Sequence, residues 1–221
     1  MHGKLIVLEG IDGSGKSTQY RLLCDRLLRE EVEFRNIIFP RYDKESSALL
    51  RMYLNGEFGE KPADVSPYAA STFFAVDRYA SYKTDWGSYY KRGGLILSDR
   101  YTTSNAVHQG SKVPPDELSS FLDWLYDFEF RLLELPKPDL VIYMDVDIET
   151  ALSMMALRRC ETNAQGDIHE SDISYLKSCL LAGSFAADYY GWKRINCISG
   201  SGMRLAEDIH EEIYKAIMEV L

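Results

Sequence analysis

The stretch Gly10-Ile11-Asp12-Gly13-Ser14-Gly15-Lys16-Ser17-Thr18 decides the fold of this chain, because it matches the phosphate-loop pattern G-x-x-x-x-G-K-[ST]. Glycines at its turns let the backbone approach phosphate oxygens without a Cβ in the way. The loop amides then line a concave anion site at a helix N-terminus. The pattern predicts binding of a nucleoside triphosphate, with Lys16 reaching the β- and γ-phosphates and the Ser17 hydroxyl ligating Mg²⁺.

The residues on either side of the loop support this motif. Residues 4–8 form a nearly continuous apolar run, as expected of a strand that is buried on both faces. After the loop, Leu23 and Leu27 recur at helical spacing. A strand, a glycine-rich loop and a helix in this order form the context that the motif requires, so we prefer it to a glycine-rich turn that binds nothing.

Further apolar runs alternate with helical stretches along the rest of the chain. The strand candidates are residues 34–39, 95–98, 140–144 and 194–198. The clearest helical stripes are Leu118, Phe121, Leu122, Leu125, Phe128 and Leu132 within residues 116–133, and Leu205, Ile209, Ile213, Ile217 and Val220 within residues 203–220. We interpret both stripes as core packing. The alternation predicts an α/β fold in three layers, a five-stranded parallel sheet with helices on both faces.

Ligands of such sheets bind at the carboxyl ends of the strands, so the residues that follow each strand are candidates for a site. Arg41 follows the second strand, and Asp99 and Arg100 follow the third. Planar guanidinium groups bind phosphate in a bidentate manner. Asp99 occupies the place where a second acid near Mg²⁺ is expected.

Bulk properties narrow the class of protein. The 221 residues suit one domain that spans residues 1–221, and the formal net charge of −9 argues against a general affinity for nucleic-acid backbones. We expect no membrane span, because no apolar run approaches about 18 residues, and we expect no signal peptide. Four scattered cysteines, Cys24, Cys160, Cys179 and Cys197, are expected to be reduced thiols of a cytoplasmic protein.

Several motifs, in this order, resemble the thymidylate kinase family over essentially the whole chain. They are the loop 10–18, Phe39-Pro40-Arg41-Tyr42, Phe74-Ala75-Val76-Asp77-Arg78, Asp99-Arg100-Tyr101 with Ser104-Asn105, Arg158, and Asp167-Ile168-His169-Glu170. The resemblance implies a P-loop kinase fold. It also implies phosphoryl transfer from ATP to dTMP with Mg²⁺, giving ADP and dTDP for dTTP biosynthesis. A homodimer is implied as well, with apolar positions around Phe73, Tyr79 and Tyr82 as interface candidates.

The resemblance also implies roles for residues around the acceptor nucleotide. Phe74 would stack on the thymine ring, Arg78 would bond a thymine carbonyl, and Asn105 would contact the base edge. Arg41 and Arg100 would hold the acceptor phosphate. No general base is needed, because the attacking phosphate oxygen is already ionised near neutral pH, so catalysis is positioning plus charge neutralisation.

Two further positions receive roles from the same resemblance. Asp12 would position the acceptor sugar or phosphate, or a water bound to Mg²⁺. His108 occupies a position that is usually Tyr or Phe in the family and that crowds a ribose 2′-hydroxyl, so it is a substrate-binding candidate.

A basic residue from a mobile lid is the remaining implied part. In this family that residue lies either in the phosphate loop or in the lid, and here Gly13 follows Asp12, so the lid must supply it. The polar segment of about 158–170 is the lid candidate. Arg158 is the first candidate for the lid cation and Arg159, at the ATP side, the second, which resembles the bacterial-type arrangement.

Three alternatives stay open at this point. The first is a kinase for another nucleoside monophosphate or for a deoxynucleoside, against which the Phe74, Arg78 and Asn105 set argues because it suits thymine. The second is a regulatory nucleotide switch that hydrolyses slowly, which has no reason to keep arginines at a second site. The third is an inactive homologue, which the intact Lys16 and Ser17 disfavour.

Overall fold

Five parallel strands form the centre of the molecule. The computed structural model describes residues 2–162, 173–200 and 202–221, with the backbone alone for 158–162. The strands are Lys4–Glu9 (β1), Phe34–Ile38 (β2), Leu95–Asp99 (β3), Leu140–Asp145 (β4) and Lys193–Asn196 (β5). Their order is β2-β3-β1-β4-β5, and all neighbours run parallel, as predicted. Leu8 lies opposite both Asp99 and Ile142, so the C-terminal ends of β1, β3 and β4 lie at the same edge of the sheet.

Helices connect these strands and make up most of the remaining described residues. They are Lys16–Arg29 (α1), Ala48–Leu54 (α2), Pro67–Ser81 (α3), Gly87–Lys91 (α4), Thr102–His108 (α5), Leu118–Tyr126 (α6), Ile148–Thr162 (α7), Ile173–Tyr190 (α8) and Ala206–Met218 (α9). Ser66 caps α3, because its hydroxyl accepts a hydrogen bond from the Ala69 amide at 3.2 Å. Within the described ranges, no helix is long and apolar enough to cross a membrane.

The sheet is covered on both faces, and β1 shows this most directly. Its alternate residues Ile6 and Leu8 pack in a core cluster with α1 and α9. Leu5 and Val7 pack in a second cluster with the π-helical segment Tyr82–Trp86 that follows α3. All four side chains are fully buried. Because successive side chains of a strand point to opposite faces, two clusters on one strand confirm the three-layer prediction.

The helix expected at 116–133 changes form part-way. α6 ends at Tyr126 and continues as a π-helical segment, Asp127–Leu132. The stripe is buried up to Leu125, as predicted, but Leu132 is 57% exposed and Glu129 is 0% exposed. A π-helix has more residues per turn than an α-helix, so it rotates the buried face away from the predicted apolar positions.

Two differences occur near the C-terminus. Ile209, Ile213 and Ile217 of α9 are buried as predicted, but Leu205 precedes the helix and is exposed. An antiparallel pair, Ile198–Ser199 (β6) with Gly202–Met203 (β7), was not predicted. Strands of two residues are too short to show an alternating pattern in the sequence.

Candidate active site

The loop between β1 and α1 has the glycine-dependent geometry that its sequence predicts. Gly13 and Gly15 have φ values of 83° and 81°, in the left-handed region. A Cβ on Gly13 would lie 2.2 Å from the Ala151 carbonyl oxygen, so no side chain fits there. Residues 11–18, together with Met154 and Leu157 of α7, line an open cavity, which we call the loop cavity.

Lys16 and Asp99 pair at the floor of this region. Lys16 begins α1 and is almost fully buried, and its Nζ lies 3.5 Å from Asp99 Oδ1 at the end of β3. In the described part of the chain, Asp99 Oδ1 has no hydrogen-bond partner. Ser17, the next residue of α1, is exposed. Mg²⁺ prefers hydroxyl and carboxylate oxygens as ligands, so Ser17 and Asp99 are a donor set that fits such an ion.

Arg100 reaches across from β3 to the loop. Its backbone has a φ of 66°, which is uncommon for a residue with a side chain, and its amide donates to the Leu8 carbonyl at 3.1 Å. The guanidinium Nη2 donates to Asp12 Oδ1 at 2.5 Å, and Nη1 lies 2.9 Å from His108 Nε2. Burial lowers the pKa of Arg100, but the carboxylates around it, Asp12 foremost, raise that pKa by more. The net pKa lies above the ordinary value, so the group stays charged.

Glu9 is a buried carboxylate at the end of β1 that the sequence did not single out. Its Oε1 accepts from the Gly10 amide at 2.9 Å, and its Oε2 accepts from the Thr103 and Ser104 hydroxyls, both at 2.6 Å. Oε1 also lies 3.7 Å from Arg100 Nη1. Glu9 therefore joins the phosphate loop to the start of α5. A carboxylate that ends an otherwise apolar strand was the available signal.

A second cavity, the base cavity, opens beside the loop cavity. It is partly open to solvent. Five predicted acceptor-site residues line it together: Phe74, Arg78, Arg100, Asn105 and His108. The rest of its lining is Asp12, Phe39, Pro40, Tyr42, Leu54, Tyr101, Ser104 and Gln109. Asp12 lines both cavities, so they meet at this residue.

Two polar side chains in the base cavity are held from behind by Glu129. Arg78 is 1% exposed and donates from Nε to Glu129 Oε2 at 2.6 Å and from Nη2 to Oε1. Asn105 Nδ2 donates to the Ser71 carbonyl and to Glu129 Oε1, both at 3.1 Å. Since both partners of Asn105 can only accept, the amide nitrogen faces them and the amide oxygen is left for a ligand.

Gln109 is a further polar residue of the base cavity that sequence reasoning missed. It is 1% exposed, and within the part of the chain that the structure describes neither of its amide atoms has a hydrogen-bond partner. Buried amides without partners are rare in folded proteins, so its position in the cavity lining favours contact with a ligand. A glutamine after a helix of ordinary composition gave no signal in the sequence.

Arg41 is held by hydrogen bonds to Asp77 and Ser46. Its Nε donates to Asp77 Oδ1 at 3.1 Å, its amide donates to Asp77 Oδ2 at 2.9 Å, and its Nη2 donates to the Ser46 hydroxyl at 3.1 Å. It is absent from the lining of the base cavity among the described residues. Asp77 therefore fixes the guanidinium beside α3, and phosphate binding by Arg41 stays a prediction.

His108 is a partner of Arg100. A guanidinium only donates hydrogen bonds, so His108 Nε2 is the acceptor and its Nδ1 carries the proton. Nδ1 lies 3.6 Å from Cys179 Sγ, and the ring stacks on Tyr175 with centroids 6.3 Å apart. Burial raises the pKa of the Cys179 thiol to about 12, so that neighbour is neutral. The imidazole is thus held in one tautomer on the arginine.

Comparison with known proteins agrees with this geometry. A sequence model of the family described as thymidylate kinase matches residues 8–179. The chain belongs to the thymidylate kinase family. The thymidylate kinase of Mycobacterium tuberculosis is 33% identical over 149 residues, which span 66% of this chain and 68% of that protein. The thymidylate kinase of Homo sapiens is 32% identical over 149 residues, 67% of this chain and 64% of that protein.

A solved structure supports the fold independently. The structure of thymidylate kinase from Candida albicans matches with a TM-score of 0.72 at 21% identity, over 99% of this chain and 92% of that one. Family membership makes the chain a dTMP kinase, a phosphotransferase whose donor is ATP.

The lid of the thymidylate kinase resemblance falls mostly outside the described residues. The backbone of Arg158 and Arg159 belongs to α7, but the structure does not describe their side chains. Residues 160–162 of the predicted lid are likewise described by their backbone alone, and 163–170 lie outside the described residues. The roles of these residues stay predictions.

Proposed function

We propose that ATP binds in the loop cavity, that dTMP binds in the base cavity, and that the phosphoryl group passes between them beside Asp12 and Arg100. The single observation that carries this proposal is that Asp12 lines both cavities. Two nucleotide sites that meet at one point are what direct transfer requires, because the reacting atoms must come within about 3–3.5 Å. A switch protein needs only the loop cavity.

The polar lining of the base cavity matches thymine. Glu129 occupies one edge of the Arg78 guanidinium, and Nη1 also donates to the Tyr101 carbonyl at 3.4 Å, which leaves the other N–H groups of Nη1 and Nη2 as donors. Asn105 offers its amide oxygen as an acceptor. Thymine presents the complement of this pair, an acceptor at O4 and a donor at N3. Cytosine reverses both atoms, so it would leave buried polar groups unpaired. Phe74 adds apolar area for the ring.

Charge neutralisation and positioning carry the chemistry. An ionised oxygen of the dTMP phosphate attacks the γ-phosphorus of ATP, and the bond from that phosphorus to the bridging oxygen of ADP breaks. Arg100, oriented by Asp12 and His108, is placed to hold the acceptor phosphate. Lys16 neutralises charge on the β- and γ-phosphates.

We include Mg²⁺ in this proposal, because the oxygens of Ser17 and Asp99 fit it. When bound, the ion supplies further neutralisation of the ATP phosphates. Among the residues that the structure describes, no three His, Cys, Asp or Glu side chains cluster as a metal site. The remaining ligands would therefore be phosphate oxygens and water, as is usual for Mg²⁺.

The lid cation of the bacterial-type arrangement is the next part of the proposal. The clash at Gly13 means that the loop in this conformation has no room for an arginine there. Met154 and Leu157 of α7 line the loop cavity, and Arg158 directly follows Leu157. We therefore assign the cation to Arg158, with Arg159 as the second candidate.

We also propose a homodimer that forms through α3. Val76 and Tyr79 are large apolar residues on this helix and are 46% and 39% exposed. Of the other interface candidates, Tyr82 is buried against Trp86, and Phe73 is partly buried against Tyr53 and Phe58, so both already pack within one chain. Light scattering should give twice the chain mass, and Tyr79→Asp should return it to the monomer mass.

Release of ADP tests the transfer reaction. With ATP and Mg²⁺ alone we expect slow release, and addition of dTMP should accelerate it at least about 100-fold, with dTDP appearing in equal amount by phosphorus NMR. Lys16→Met should abolish the acceleration, while Lys177→Met, an exposed lysine of α8, should not change it. Slow release that is insensitive to every acceptor nucleotide would favour the regulatory switch instead.

A further inference from the structure

Glu129 is a fully buried carboxylate that takes no part in the reaction described above. It lies in the π-helical segment Asp127–Leu132, is 0% exposed and is absent from the lining of the base cavity. A buried carboxylate is expensive unless it is paired and hydrogen-bonded, so what it pairs with is informative.

Its two oxygens together accept four hydrogen bonds from two helices. Oε2 accepts from Arg78 Nε at 2.6 Å and from the Thr102 hydroxyl at 2.9 Å. Oε1 accepts from Arg78 Nη2 and from Asn105 Nδ2, the latter at 3.1 Å. One carboxylate thus contacts both Arg78 on α3 and Asn105 on α5, the two residues proposed to hydrogen-bond the base, which we call the base-reading residues.

The bidentate contact fixes the plane of the Arg78 guanidinium. Two parallel N–H···O bonds to one carboxylate define an orientation that a single bond does not. Arg78 can then turn only its remaining N–H groups toward the base cavity. The negative charge also compensates the guanidinium, which is itself almost fully buried.

The contact with Asn105 fixes which atom of the amide faces the ligand. The Glu129 carboxylate and the Ser71 carbonyl only accept, so together they disfavour the flipped amide, whose oxygen would lie against both. If residue 129 could also donate, only the Ser71 carbonyl would still oppose the flipped amide, and in the flipped state Asn105 would offer N–H groups to the base. The cavity would then accommodate the N3 acceptor of cytosine.

We propose that Glu129 is the positioning residue that sets the donor and acceptor pattern of the base cavity, and with it the preference for a 4-oxo over a 4-amino pyrimidine. The inference rests on the proposed assignment of dTMP to this cavity. No pattern in the sequence predicts this role, because Glu129 comes to the buried face only through the π-helical rotation after α6.

Steady-state kinetics of Glu129→Gln with ATP and with either dTMP or dCMP test this inference. We expect the KM for dTMP to rise about tenfold or more and the ratio of kcat/KM for dTMP over dCMP to fall about tenfold or more. The KM for ATP should stay within about threefold. Thr102→Val removes one hydrogen bond from the same carboxylate without touching the base-reading residues, and it should leave the ratio unchanged.

Glu129→Asp covers the case in which Glu129→Gln does not fold. Aspartate keeps the charge that compensates Arg78, but it is one methylene shorter and cannot hold Arg78 and Asn105 at once, so the ratio should again fall. An unchanged ratio in the folded variants would overturn the inference, because a merely structural carboxylate would lower activity on both acceptors equally. If the wild-type chain does not turn over dTMP at all, the proposed function fails before this inference is reached.

Discussion

Arg100 Nη1 donates a hydrogen bond to His108 Nε2 over 2.9 Å, and this bond explains a histidine in the lining of the base cavity. Because the same guanidinium also donates to Asp12, it is held from two sides at the point where the two cavities meet. We therefore expect the imidazole to act on the reaction through Arg100.

His108→Phe should lower kcat for dTMP by about three- to tenfold, because the aromatic ring keeps the packing on Tyr175 but cannot accept the hydrogen bond. His108→Gln supplies an amide oxygen as acceptor and should recover most of the loss. A coupled assay of ADP release at saturating ATP gives kcat for both variants. Equal loss in the two variants would show that the ring shape, and not the acceptor, supports Arg100.

Phe74→Ala should raise the KM for dTMP about 30-fold and leave the KM for ATP within about twofold, because Phe74 lines the base cavity and not the loop cavity. Phe73→Ala is a matched control, since Phe73 lies next on the same helix but packs on Tyr53 and Phe58. Both KM values should be measured for both variants. If the control raises the KM for dTMP as much, α3 packing rather than stacking on the base is responsible.

Arg158→Ala should lower kcat about 100-fold with little change in either KM, because a lid cation acts on charge that develops during transfer. Arg159→Ala should have a smaller effect. Single-turnover rates for the two variants separate chemistry from product release. Loss of rate confined to Arg159→Ala would move the role to that residue, and normal rates in both would end the assignment of the cation to this segment.

Stability at mildly acid pH should depend on His210. This residue of α9 is 8% exposed, and within the described residues neither ring nitrogen has a hydrogen-bond partner. Burial lowers its pKa below the ordinary 6.5, and Arg26 lowers it further. The charged groups that act on the ring are Arg26, Arg29, Glu30 and Glu211.

The unfolded chain therefore takes up a proton at this histidine before the folded chain does. Its contribution to the free energy of unfolding is fully present above 6.5 and decreases as the pH falls from there toward the lowered pKa. Thermal unfolding at about pH 8 and about pH 5 should show a smaller drop in Tm for His210→Phe than for the wild type. His2→Ala, at an exposed terminal position, should keep the wild-type drop, and an unchanged drop in His210→Phe would contradict the argument.

The sequence predicted the parts of the molecule that local chemistry determines. The apolar run of β1, the glycines of the loop and the residues that follow β3 each carry their own signal, so the sheet and the loop cavity could be placed. Residues of the base cavity were found through a family resemblance, and the structure brings Phe74, Arg78 and Asn105 to one cavity.

The rest depended on packing that no local pattern records. The π-helical turn that buries Glu129 has the composition of an ordinary amphipathic helix, so its rotated face could not be read from periodicity. No local pattern shows that Asp77 holds Arg41, or that the Gln109 amide has no hydrogen-bond partner among the described residues.

The most direct test of the account is the ratio of kcat/KM for dTMP to that for dCMP, measured with ATP and Mg²⁺ on the wild-type chain. Unpaired buried groups on both Arg78 and Asn105 should disfavour cytosine, so we predict a ratio of about 1,000 or more. dUMP, which keeps O4 and the N3 donor, should fall between the two. A ratio near one, or a preference for dCMP, would contradict the assignment of the base cavity to thymine.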